Sequence, residues 1–176
     1  RMKESSLVDT RLVITDTYRS SGSINNFHDA LKVILDNFCD LDREYLFVIN
    51  MSVALKPMNC CVVGVGSVDG ALVSQREVFK TALISGAKNI LIAHNHPSGN
   101  LAPSVQDIQT TERIKKSCDL LGLQLLDSVI FNYDKDIYSI MSEKLEHYED
   151  HEGKNMTFVD QRISLAEDTG SKKHIL

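Results

Sequence analysis

The chain has 176 residues, 43% of them hydrophobic and 24% charged, which is enough apolar material to bury a core within an ordinary water-soluble domain. Nineteen Lys and Arg face 24 Asp and Glu, a net charge of −5. Nucleic-acid affinity rests largely on neutralising phosphates with basic side chains, so nucleic acid is not an expected partner for this chain alone. No apolar run approaches the ~20 residues that cross a bilayer, and residues 1–6 lack the apolar stretch of a signal peptide. The expectation is a cytoplasmic protein with no membrane partner.

In chain order, residues 7–19 are rich in Val, Ile, Thr and Leu and read as an opening strand, followed by a turn at Ser20-Ser21-Gly22-Ser23. Over residues 26–39, Phe27, Leu31, Ile34, Leu35 and Phe38 recur at spacings of three and four, which predicts an amphipathic helix. Strands are predicted over 45–50 and 60–65, with 54–59 as their connection and Asp69-Gly70 as a further turn. A second helix is expected from about Gln75 to Ser85, closed by Gly86, where a left-handed cap suits glycine. Residues 89–93, Asn-Ile-Leu-Ile-Ala, have the look of a buried central strand. His94-Asn95-His96-Pro97-Ser98-Gly99 breaks that run. Ser104 opens a third helix to about Leu121, with Asp107 three residues on in a capping-box-like start, and Gly122 ends it. Strands over 123–131 and 137–141 complete the pattern.

Strands with interspersed helices predict an α/β domain of the α+β type, a mixed sheet flanked by helices. Charge dominates beyond Glu143, so residues 1–142 read as the domain and 143–176 as a charged C-terminal appendage. The four cysteines, Cys39, Cys60, Cys61 and Cys118, form no C-x-x-C pair and are expected to be buried, reduced thiols.

His94 and His96 stand two apart at the end of a predicted strand, where residues i and i+2 face the same side and both imidazoles can reach one ion. Asp107 falls in the first turn of a helix, where side chains lean toward the N-terminus and aim the carboxylate back at the loop. Two nitrogens and one oxygen leave a fourth tetrahedral position for water, as in catalytic zinc sites. Taken singly, each residue has an ordinary reading: exposed histidines at a strand end, a helix-start carboxylate at Asp107, an N-cap at Ser104. Their combination points to one zinc ion per chain.

The pattern His94-x-His96-Pro97-x6-Ser104-x2-Asp107 resembles the JAMM signature of the JAB/MPN metalloproteases. The stretch from Ala93 to Gly99, with Pro103-Ser104 and Asp107, is similar specifically to the RadC branch. Gly66-Ser67-Val68, Arg76-Glu77-Val78-Phe79 and Leu120-Leu121-Gly122 resemble that branch as well, and the likeness covers about residues 25–141. It implies the JAB/MPN, cytidine-deaminase-like architecture, with His94, His96 and Asp107 as metal ligands. It also implies a glutamate on an earlier strand that moves a proton between water and the leaving amine. Glu44 is the best match, with Glu77 as the competing candidate. Ser104 matches the serine that hydrogen-bonds the developing oxyanion.

Two departures from the branch stand out. Asp127 is followed by Ser128 where relatives usually carry histidine, which touches the surroundings of the site. RadC proteins also carry an N-terminal helix-hairpin-helix region, whereas about 25 residues precede the first predicted core helix here. The expectation is therefore a shortened piece or a short member.

Other signals are discounted. The letters H-N-H do not make a nuclease, whose residues are spread over a ββα unit. Ser98 stands where the metallo-β-lactamase pattern needs aspartate, and the order of ligands is the reverse of the usual two-His, one-carboxylate iron site. His147 and His151 read as one face of a solvated, charged helix, and His28 and His174 have no motif context. The expected activity is zinc-dependent hydrolysis of amide bonds in a peptide or protein substrate. The alternative is a non-catalytic recruitment module or DNA-repair accessory with the same fold, and a homo-oligomer is compatible with either.

Overall fold

The computed structural model describes residues 27–38, 41–66 and 74–147. Among them are three helices, α1 (Phe27–Phe38), α2 (Gln75–Ser85) and α3 (Val105–Leu121). Six strands accompany them: β1 (Glu44–Met51), β2 (Pro57–Gly66), β3 (Asn89–Asn95), β4 (Gln124–Phe131), β5 (Asp136–Ser139) and β6 (Lys144–His147). The strands form one mixed sheet in the order β2-β1-β3-β4-β5-β6. β3 and β4 are parallel and are joined by α3, since parallel neighbours need a crossover, whereas the other pairs are antiparallel. The mixed sheet flanked by helices matches the expected architecture. The predicted strand over 7–19 and the turn at Asp69-Gly70 lie outside the described residues.

Period-two alternation sorts the sheet's side chains onto two faces. Phe47, Ile49 and Met51 of β1 and Leu91 and Ala93 of β3 pack with Ala30, Leu31, Ile34 and Leu35 of α1. The Phe47 ring lies 4.9 Å from Phe38 and 6.2 Å from Phe131, centroid to centroid, so a chain of aromatic contacts ties α1 to β1 and β4. On the other face, Leu46, Val48, Ile90 and Ile92 pack with Val78, Phe79 and Ala82 of α2 and with Ile114 and Cys118 of α3. The even-numbered residues of β1 and β3 therefore look toward α2 and α3. Glu44 and His94 share that parity.

Several local expectations change. The predicted connection over 54–59 is shorter, because β2 begins at Pro57. A tight turn precedes it, in which Ser52 N donates to Lys56 O at 2.9 Å and Leu55 adopts φ 59°. Proline is tolerated there because it opens a strand at the sheet edge. β3 runs two residues past Ala93, with all seven of its residues buried. Lys144 to His147 pair with β5, so the sheet continues past residue 142 into what read as the appendage. His147 thus lies on a strand and not on a helix, and its Nδ1 donates to Asp136; His151 lies outside the described residues. Cys118 is buried as expected, Cys61 is half-buried and Cys60 is exposed, and all three are free thiols.

Candidate metal centre

His94 leaves the sheet from a position only 4% exposed. His96 follows the strand yet keeps its ladder, because its N–H donates to Phe131 O at 2.9 Å. The backbone stays extended, and both imidazoles remain on one face. His96 Nδ1 lies 2.6 Å from the carbonyl of Asn100. A carbonyl can only accept, so Nδ1 carries the proton and Nε2 presents its lone pair.

Asp107 arrives from α3 through the expected capping box. Ser104 Oγ accepts from Asp107 N at 3.1 Å, while Asp107 Oδ2 accepts from Ser104 N at 2.8 Å and from the Ser104 hydroxyl at 2.6 Å. These bonds fix the helix start and the carboxylate together. They also commit the Ser104 hydroxyl proton to Asp107.

The three side chains converge. The two Nε2 atoms are 3.2 Å apart, Asp107 Oδ1 lies 3.4 Å from His94 Nε2, and Oδ2 lies 3.7 Å from His96 Nε2. A tetrahedral ion with bonds of ~2.0–2.1 Å holds its ligand atoms roughly 3.3 Å from one another. The donor atoms therefore already stand near the spacing that a small divalent ion requires. Glu44 joins them, and all four ligand-capable atoms lie within 4.8 Å of one another.

Sheet register explains why Glu44 is the acid that arrives. Leu46 of β1 faces His94 across the antiparallel pair, and two more places along the same register bring Glu44 opposite His96. Glu77, the competing candidate, sits on α2 about half exposed, 3.7 Å from Lys80, and is not part of the cluster.

Asn95, which motif reading passed over, points away from the donor set. Its Oδ1 accepts from Tyr45 N at 2.7 Å and its Nδ2 donates to Arg43 O at 2.9 Å. The amide therefore latches the backbone on both sides of Glu44. Alternation was the available signal, because a polar residue between two same-face ligands must point to the opposite face.

Burial holds the His94 pKa down to about 4, with Asp107 opposing the shift and His96 adding to it. The ring is thus neutral at physiological pH, the state in which an imidazole binds metal. Burial raises the Glu44 pKa above the usual carboxyl range, aided by Asp107 and opposed by His96. A carboxylate shifted this way is better matched to accepting a proton near neutrality.

The family description of the RadC-like JAB domain matches residues 24–168. The chain belongs to this family. Among its relatives, a UPF0758 protein of Caldanaerobacter subterraneus subsp. tengcongensis is 31% identical over 120 residues, 68% of this chain and 52% of the relative. A UPF0758 protein of Clostridium tetani is 33% identical over 138 residues, 76% of this chain and 60% of the relative. One from Chlorobaculum parvum is 37% identical over 111 residues, 63% and 50% respectively. The chain spans about half the length of the curated relatives it matches.

In this RadC-like JAB domain the donor cluster opens onto a cleft of about 860 Å³, within the range of small-ligand sites. Val63 to Gly66 of β2 form one wall and Thr110, Thr111 and Ile114 of α3 the other, with Ile92 and Ser128 also in the lining. No Lys or Arg lines the cleft among the described residues. Ser128 is buried beside Ile92 in the β3–β4 register. Its neighbour Asp127 is used structurally, accepting from Ser128 N at 2.7 Å, from the Ser139 hydroxyl at 2.6 Å and from Met141 N at 3.3 Å. No helix among the described residues is long and apolar enough to cross a membrane.

Proposed function

We propose that this chain is a zinc-dependent hydrolase of amide bonds, acting on a peptide or isopeptide linkage. The convergence of His94 Nε2, His96 Nε2 and the Asp107 carboxylate at 3.2–3.7 Å, with Glu44 beside them, carries this reading. Two imidazoles and one carboxylate make the donor set of catalytic zinc sites, and no thiol lies among them to favour a structural site. The cleft lining supports a neutral substrate backbone. A phosphodiester would call for cationic side chains where the described lining of this cleft offers Glu44, Asp107 and walls of Val, Gly, Thr and Ile.

His94, His96 and Asp107 would hold the metal, which when bound supplies the Lewis acidity that makes water a nucleophile at neutral pH. Glu44 takes the proton released by the attacking water and delivers it to the departing amine nitrogen. Ser104 turns its hydroxyl from Asp107 to the carbonyl oxygen as negative charge builds there. The strand ends of β1 and β3 set the distance between base and ligands, so no large motion is needed to assemble them.

Metal content by mass spectrometry and zinc titration of the wild type, His94→Ala and Asp107→Ala tests the centre. One zinc per chain is expected, lost in both variants. A gently purified wild type that carries no stoichiometric metal and takes up none on titration would end the reading. Hydrolysis of a diverse panel of peptides and isopeptides, with Glu44→Gln alongside, tests turnover. Zinc binding without cleavage of any panel member would instead support a recruitment module.

A further inference from the structure

Three consecutive residues at the end of β4 each grip the loop that carries His96. Phe131 O accepts the His96 N–H at 2.9 Å. Asn132 Nδ2 donates to Gly99 O at 3.3 Å. The Tyr133 ring lies against Gly99 so closely that a Cβ there would stand 2.9 Å from Tyr133 Cε1. Gly99 itself has φ +78° and returns its N–H to His96 O at 3.0 Å. The next residue, Asn100, supplies the carbonyl that takes the His96 Nδ1 proton.

Asn132 is only 4% exposed, and its amide is held from the far side. Its Oδ1 accepts from Asp136 N at 2.9 Å, and its Nδ2 also donates to Asp136 Oδ2 at 3.2 Å. Asp136 Oδ1 in turn takes the Nδ1 proton of His147 on β6. The β4–β5 turn is already closed by main-chain bonds, Asn132 N to Asp136 O and Lys135 N to Asn132 O, both 3.2 Å, together with the bond from Asp136 N to Asn132 Oδ1. The second N–H, aimed out of the turn at Gly99 O, does nothing for the hairpin and acts on the metal-ligand loop.

We infer that the β4–β5 turn is the outer support of the metal centre, with Asn132 as a positioning residue that fixes the His96 ring through Gly99 and Asn100. Through Asp136 and His147, the support extends to β6. A ligating imidazole depends on the acceptor of its other ring nitrogen for tautomer and orientation. Here that acceptor is a main-chain carbonyl on a loop, and the loop has to be held by something else. Asn132 and Tyr133 hold it. The inference rests on the metal-centre reading and concerns zinc affinity, independent of any substrate.

Zinc dissociation constants for the metal-free protein, measured by competition with a chromophoric chelator at a temperature where all variants are folded, provide the test. Asn132→Ala is expected to weaken zinc by about 10- to 100-fold, the usual cost of losing an outer-shell partner. Gly99→Ala, which puts a Cβ into Tyr133 and strains a positive φ, is expected to do the same, and it stands in should Asn132→Ala fail to fold. Ser139→Ala removes a hydroxyl from Asp127 in the same hairpin, away from the loop, and is expected to leave zinc affinity unchanged. The cobalt(II) spectrum of Asn132→Ala should also differ from wild type, which loss of fold stability alone does not produce. Folded Asn132→Ala and Gly99→Ala proteins that bind zinc within twofold of wild type overturn the inference while the metal centre stands. A wild type that binds no zinc overturns both.

Discussion

Replacing Asn95 with alanine removes the two bonds that hold the chain on either side of Glu44, the 2.7 Å contact to Tyr45 N and the 2.9 Å contact to Arg43 O. Asn95 is 1% exposed, so the lost groups cannot simply be replaced by water at the same place. A buried backbone group left without a partner costs about 1–3 kcal/mol. Tyr45 N bears that in full, whereas the carbonyl of the exposed Arg43 recovers part of it from solvent. The sum is about 2–4 kcal/mol. For a chain of this size each kcal/mol lowers the melting temperature by roughly 2–4 °C, so the melting temperature of the metal-free variant, followed by circular dichroism, should fall by about 4–16 °C. The His94 and His96 ladder bonds are untouched, so zinc binding survives. Turnover drops by about the 10²–10⁴ typical of a lost proton-transfer group, because Glu44 is no longer held at the ligands. A melting temperature within about 2 °C of wild type, with turnover intact, refutes the latch.

The pH dependence of the metal-free protein follows from His94. Its folded pKa near 4 lies below the ordinary 6.5, so between those values the unfolded chain binds the proton that the native ring refuses. Stability from this residue is full above pH 6.5 and falls with acid by about 1.4 kcal/mol per pH unit. Glu44, with a raised pKa, works in the opposite direction and offsets part of the loss. Urea midpoints at pH 7 and 5 should show a steeper fall for wild type than for His94→Asn; equal slopes contradict the assignment. Phe131→Ala empties a fully buried site that touches Phe47 and should cost about 3–5 kcal/mol in denaturant unfolding, with a value under about 1 kcal/mol speaking against the packing described. Ser104→Ala removes the α3 cap and one hydrogen bond to Asp107. It should lower stability by about 1 kcal/mol and weaken zinc, and an unchanged zinc constant would mean that the carboxylate needs no such support.

What the sequence revealed and concealed divides along the range of the interaction. His94, His96, Ser104 and Asp107 lie within one short stretch, and strand parity with helix-start chemistry is enough to aim them at a point. Helices α2 and α3 end at Gly86 and Gly122, both left-handed, as glycine after an apolar period predicts. Glu44 is different. Its place depends on the pairing of Leu46 with His94, a register between segments fifty positions apart that local periodicity does not encode, so only the family resemblance ranked it above Glu77. Asn95, Asn132 and Asp136 were hidden for another reason: bonds from a side-chain amide or carboxylate to the main chain leave no repeating trace. The start of β2 at Pro57 and the short edge strand β6 escaped because a proline at an edge, or a single Leu145 among three polar residues, looks the same in a loop.

In β3 two neighbouring residues serve opposite sides of one sheet. His94 looks into the cleft, while Asn95 reaches round to the chain that carries Glu44. Deleting one residue upstream, such as Ala93, would send the imidazole toward α1 and the amide toward the cleft, an exchange of faces that no side-chain substitution in the cleft could reverse. The segment therefore tolerates changes of letter far better than changes of length.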